Sequence, residues 1–204
     1  MSTATAVARP GAVLADLLPS PRLSASLGGA STRVRDAALV VGGAALTGLA
    51  AQLSVPVPGS PVPVTGQTFA ALLVGTALGA RRGFLSLALY AAVGVAGVPW
   101  FADGASGAGM VSFGYILGML LASALVGALA RRGADRSPLR MAGTMILGEA
   151  VIYAVGVPYL ALAAHMSASA AIAAGLTPFL IGDALKAVLA MGALPAAWKF
   201  AGKR

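Results

Sequence analysis

Cysteine is absent from the 204 residues, which excludes a disulfide framework, a thiolate metal site and a cysteine nucleophile. Histidine occurs once, at 165, and a single imidazole builds no metal cage. Lying near the end of an apolar segment, His165 reads as an interfacial side chain. No Gly-x-x-x-x-Gly-Lys-Ser/Thr sequence is present, so the chain does not itself use ATP by that chemistry. Charge is scarce: 10% of residues are charged, against about 25% in a typical soluble domain, and 58% are hydrophobic. Those proportions define an integral membrane protein.

What charge there is has a pattern. A net +8 would suit nucleic acid, but the basic residues fall between apolar runs and form no single patch with interleaved aromatics. They read as topology determinants and contacts to anionic lipid, with no nucleic-acid partner. Residues 1–35, rich in Ala, Ser, Pro and Gly, read as a mobile cytoplasmic tail. Six apolar segments follow, near 37–53, 68–80, 84–98, 113–130, 141–164 and 178–200. Each is expected to be a helix, because lipid offers the backbone no other partner. The second and third are short for a ~30 Å hydrocarbon core. Arg81 and Arg82 lie between segments two and three, Arg131, Arg132, Arg136 and Arg140 between four and five, and Lys199, Lys203 and Arg204 close the chain. The alternate connections carry no base. This predicts an all-α membrane protein of six transmembrane helices with both termini cytoplasmic, organised as a 1–35 tail and a 36–204 substrate-binding domain.

Lys186 alone breaks the alternation. Asp183 and Lys186 are three apart in segment six, so a helix puts them on one face, with Phe179 a turn earlier. At mid-helix each charge costs about 2.5–3.5 kcal/mol in hydrocarbon, so both must point into protein or a wet cavity. Two readings stand: an ion pair joining helices, or a site for a polar solute roughly 7–12 Å into the outer half of the membrane at 1.5 Å per residue. Segment five places Glu149 and Tyr153 at i, i+4; Glu149 could be a protonated, hydrogen-bonded strut or a ligand contact.

Two external loops carry further information. Residues 54–65 hold Pro56, Pro58, Pro61 and Pro63, which argue against a regular ladder and for a stiff, extended lid packed on the bundle. Residues 99–109 put Trp100 and Phe101 beside a glycine-rich stretch. In segment one, Ala38/Gly42 and Ala44/Gly48 give small residues at a spacing that permits close helix approach.

Pro56-Val57-Pro58, then Pro61-Val62-Pro63-Val64-Thr65-Gly66-Gln67-Thr68-Phe69, resembles the first-loop signature of the BioY family, the biotin-specific S components of energy-coupling factor (ECF) transporters. Leu78-Gly79-Ala80-Arg81-Arg82-Gly83, Gly97-Val98-Pro99, Phe101-Ala102-Asp103-Gly104, Ile152-Tyr153-Ala154-Val155-Gly156-Val157-Pro158-Tyr159 and the Pro178 to Lys186 block continue it in order. Ser112-Phe113-Gly114-Tyr115 stands where the family usually has Thr-Gly-Gly-Tyr.

The resemblance implies an S-component-like bundle in the bacterial cell membrane, no enzymatic activity and no cofactor. The ligand it implies is biotin. Asp183 and Lys186 would meet the polar groups of the ligand, Gln67, Tyr115 and Tyr153 would add neutral contacts, and Trp100, Phe101 and Phe179 would form apolar walls. Val57, Pro58, Pro61, Pro63 and Thr65 would belong to the lid. The implied partners are a T component, docking on Ala38, Gly42, Ala44 and Gly48, and two ATPase subunits that consume the ATP; the family also includes members that act alone. An S component for another vitamin-like solute and an intramembrane enzyme remain as alternatives.

Overall fold

A computed structural model describes residues 11–18 and 28–201. Residues 1–10, 19–27 and 202–204, and with them most of the expected tail and the closing Lys203 and Arg204, lie outside the described residues. The helices are α1 (Gly28–Ala51), α2 (Gln67–Leu78), α3 (Ala80–Val95), α4 (Phe113–Arg131), α5 (Pro138–Ala163), α6 (Ala168–Gly175) and α7 (Leu180–Ala201). Four stretches among the described residues are long and apolar enough to cross a membrane: Thr32–Ala51, Phe113–Arg131, Pro138–Ala163 and Ala168–Phe200. At 12 and 16 residues, α2 and α3 reach only about 18 and 24 Å. The outer surface is greasy: Ile181, Leu162, Leu49 and Phe200 are all more than 70% exposed, as suits a lipid-facing coat.

Glycines let the helices approach closely. α2 and α3 are joined by Gly79 alone, whose φ of 86° is open to glycine and strained for other residues. The chain folds back there, and a Cβ on Gly83 would lie 2.7 Å from the Gly75 Cα. This helical hairpin seats against α4, which also packs along α5. Packing at this density takes the place of the hydrophobic drive that lipid does not supply.

Contacts define one basic end of the bundle. Residues 11–18, with a single 3-10 turn at Leu14–Leu17, are docked there. Val13 is fully buried beside Ala130. Asp16 pairs with Arg82 at 2.8 Å, and Arg35, Arg131 and Arg136 donate to the Ala15, Gly11 and Ala12 carbonyls. Burial opposes ionisation of Asp16, but the bonds from Arg82 and the Val13 N–H, with the Arg82 and Arg131 charges, outweigh it and hold the carboxyl below its usual value. Within the stretch expected as a mobile tail, residues 11–18 are packed, because Val13 and Asp16 supply an apolar anchor and a counter-charge, and α1 begins at Gly28.

At the same end Trp198 donates from Nε1 to Asp135 Oδ2 at 2.6 Å, and Arg136 lies over the indole, 4.6 Å from its centroid. Asp135 is fully buried, its Oδ1 has no partner, and burial pushes the carboxyl up against the Trp198 bond. Trp198→Phe keeps the ring and removes the N–H. It is expected to cost about 1–3 kcal/mol, read as a melting midpoint several degrees lower in detergent.

Three further differences from the sequence reading concern loops and faces. The proline loop does carry a ladder: β1 (Ser54–Val55) and β2 (Val64–Thr65) pair antiparallel, Ser54 with Thr65 and Val55 with Val64. All four prolines fall between the strands, where no ladder N–H is needed. Helix α6, capped by the Ser167 hydroxyl on Ala170 N–H, was not anticipated in the connection before the last segment. Of the four small residues named in α1, only Ala38 and Gly42 face outward. Ala44 is 1% exposed, and Gly48 abuts the Trp100 indole, where a Cβ would stand 2.9 Å from the ring. Those two are consumed by packing within the chain and offer no docking surface.

Candidate solute-binding site

Away from the basic end, the loop 54–65 and helices α2, α4, α5 and α7 converge on a cavity of about 50 Å³. Its polar wall centres on α7. Lys186 Nζ donates to Asp183 Oδ1 at 3.0 Å and to Thr68 Oγ1 at 2.9 Å, and the Tyr153 hydroxyl donates to Asp183 Oδ2. Each carboxylate oxygen thus has one donor and keeps acceptor capacity. Gln67, at the start of α2, is 5% exposed with its Nε2 unpartnered. A buried unpaired donor costs about 1–3 kcal/mol, so this amide is free to bond whatever enters.

The rest of the wall is apolar and rigid. Tyr115 donates to the Gly175 carbonyl at 2.7 Å, and its ring lies where a side chain on Gly156 would be. Phe101 is fully buried against Tyr90, centroids 5.2 Å apart and nearly perpendicular, in space that Gly94 leaves open. Phe179, from the 3-10 turn before α7, adds to the apolar lining. Val62, Pro63 and Thr65 form the roof.

Seven of the eight expected ligand-binding residues therefore come together: Asp183, Lys186, Gln67, Tyr115, Tyr153, Phe101 and Phe179. Trp100 does not line the cavity. Its Nε1 donates to the Tyr90 carbonyl at 3.0 Å and its ring stacks on Tyr90 and Gly48, so it braces the loop from behind. In the lid, Pro63 and Thr65 reach the cavity, whereas Pro58 and Pro61 are exposed and Val57 is not part of the lining. Thr68 was missed; the hint was its place beside Gln67 at a helix start, but only the fold brings it to Lys186.

Glu149 lies behind this wall. It is 7% exposed, and neither carboxyl oxygen is within a well-formed hydrogen bond. With Tyr153 and Asp183 it lines a lateral, mostly apolar groove of about 820 Å³ between α5 and α7. Tyr153 and Asp183 line both spaces, which makes their hydrogen bond the partition between cavity and groove.

A helical membrane bundle enclosing a small cavity with one polar wall, away from its basic end, is the architecture of a protein that binds a small solute within the membrane. The fold matches, with a TM-score of 0.74, the crystal structure of the S-component for biotin from an ECF-type ABC transporter, at 20% identity and over 87% of this chain and 95% of that one. In sequence it is 33% identical over 162 residues to the probable biotin transporter BioY of Pyrococcus horikoshii, covering 78% of this chain and 93% of the relative. Against the biotin transporter BioY2 of Lactococcus lactis subsp. cremoris it is 32% identical over 162 residues, covering 78% and 87%. The BioY family matches over residues 22–203, and the chain belongs to it. It is accordingly a member of a transporter family and not an enzyme.

Proposed function

We propose that the chain captures biotin for uptake, as the S component of an ECF-type transporter in a bacterial plasma membrane. The observation that carries this reading is Asp183. It lines the small cavity with each oxygen already steadied by one donor and with acceptor capacity left over. The ureido ring of biotin has two N–H donors side by side and one carbonyl acceptor. Asp183 accepts from the ureido N–H groups, Gln67 or Lys186 donates to a biotin oxygen, and Phe101, Phe179 and Tyr115 hold the thioether ring. A cavity of about 50 Å³ holds only a few water molecules, at about 10–15 Å³ each. The roof from Val62 to Thr65 lifts to admit the ligand.

The same reading has six membrane spans, α2 and α3 being short and tilted, with both termini cytoplasmic. It is supported by the alternation of basic connections and by the gathering of Arg35, Arg82, Arg131 and Arg136 at one end. Residues 36–204 act as the substrate-binding unit. The exposed Ala38 and Gly42 of α1 admit a T-component helix. The chain topples to deliver biotin inward, two partner ATPases hydrolyse the ATP, and the chain itself carries no cofactor.

Isothermal titration of the purified chain is expected to show saturable heat with biotin at micromolar concentration. No heat would overturn the assignment. Ser112 lines the cavity at the position where the family motif is altered, so a thermal-shift panel of vitamins provides the second readout. Stabilisation by another vitamin but not biotin would move the assignment to that solute.

A further inference from the structure

Glu149 is the carboxyl beside the site for which the binding chemistry has no use. The groups facing it can be named element by element. Tyr153 of α5, one turn on, and Asp183 of α7 line the same groove as Glu149; Lys186 of α7 and the Thr68 hydroxyl of α2 are bonded to that cluster, and Tyr115 of α4 lies edge-on beyond Tyr153. Lys186 is the only cation among them, and Asp183 already holds it at 3.0 Å. An ionised Glu149 would set a second negative charge beside Asp183, with one ammonium for both. Two carboxylates in one buried site compete strongly for such a counter-ion.

We infer that Glu149 is a proton-operated latch on the solute site. With its proton, it leaves Lys186 to Asp183 and Thr68 and the site stays assembled; without it, the carboxylate draws the ammonium toward α5 and the site comes apart. Solute binding and protonation of Glu149 are then linked. As the roof closes over a solute, a Glu149 carboxylate takes one proton from external water, forming one O–H bond, while Lys186 keeps its own protons. Glu149 touches no solute in this scheme; it is a positioning residue acting through Lys186. The inference rests on the biotin reading.

The test is calorimetric titration of the full chain in lipid nanodiscs with biotin at pH 6.5, 7.5 and 8.5, in buffers of differing ionisation enthalpy. The biotin carboxylate stays ionised throughout, since plain carboxyls titrate near 4.3. Affinity is expected to fall as pH rises, by up to about tenfold per unit for one linked proton. The buffer-dependent heat should report net proton uptake. Glu149→Gln keeps the shape and cannot ionise. It should bind within a few-fold of wild type at pH 6.5, with a flat profile and no buffer-dependent heat. A flat wild-type profile overturns the latch, as does a variant profile as steep as wild type. If the variant is not recovered folded, zero proton uptake in the wild type is decisive alone. Biotin binding without proton exchange removes the latch and leaves the assignment of biotin standing, whereas no binding at any pH removes both.

Discussion

Asp183→Ala is expected to weaken biotin binding by about 10- to 150-fold, the equivalent of about 1.5–3 kcal/mol for hydrogen bonds to a charged acceptor. The loss has two sources. The ureido N–H groups lose their acceptor, and Lys186 loses the carboxylate at 3.0 Å, keeping only the Thr68 hydroxyl. Tyr153→Phe removes a single neutral donor from Asp183 Oδ2 and should cost less, about 2- to 12-fold. Titration calorimetry on both variants checks the order. An Asp183→Ala protein that binds biotin within twofold of wild type would show that the pair serves only to join helices.

Gly127→Leu is expected to be the most damaging substitution for folding. A Cβ there would fall 2.4 Å from the Ala80 nitrogen and 2.5 Å from the Gly79 carbonyl carbon, both backbone. Neither can rotate aside. The helical hairpin around Gly79 would have to leave α4, where Gly75 is equally tight, with a Cβ 2.4 Å from the Ser123 oxygen. Overpacking typically costs about 1–3 kcal/mol, and more when backbone must move. The expected result is a midpoint lower by several degrees, or no monodisperse protein. Gly192→Leu is the matched control, because α7 leaves that glycine exposed with nothing within 4 Å. Its midpoint should hold or rise, since leucine is the better helix former.

Apolar run length and charge alternation made most of the helices legible, and one charged pair in the wrong place for lipid pointed to the centre of the candidate site. What escaped had physical reasons. The β1–β2 ladder was masked by prolines that lie between its strands. Helix α6 is eight residues of Ala, Ser, Ile and Gly, too short for an amphipathic period to declare itself. Trp100 and Gly48 looked like site and surface until the fold set one upon the other. Thr68 needed the third dimension as well: 118 residues separate it from the lysine it receives.

The ladder that pins the proline loop also limits how far the roof can travel. Only residues 56–63 lie between the paired strands, and a doubled-back run of eight residues reaches about 13 Å from its anchor at roughly 3.3 Å per residue. Any motion of the roof is therefore a short swing about the ladder, and Val62 and Pro63 stay close to the cavity they cover.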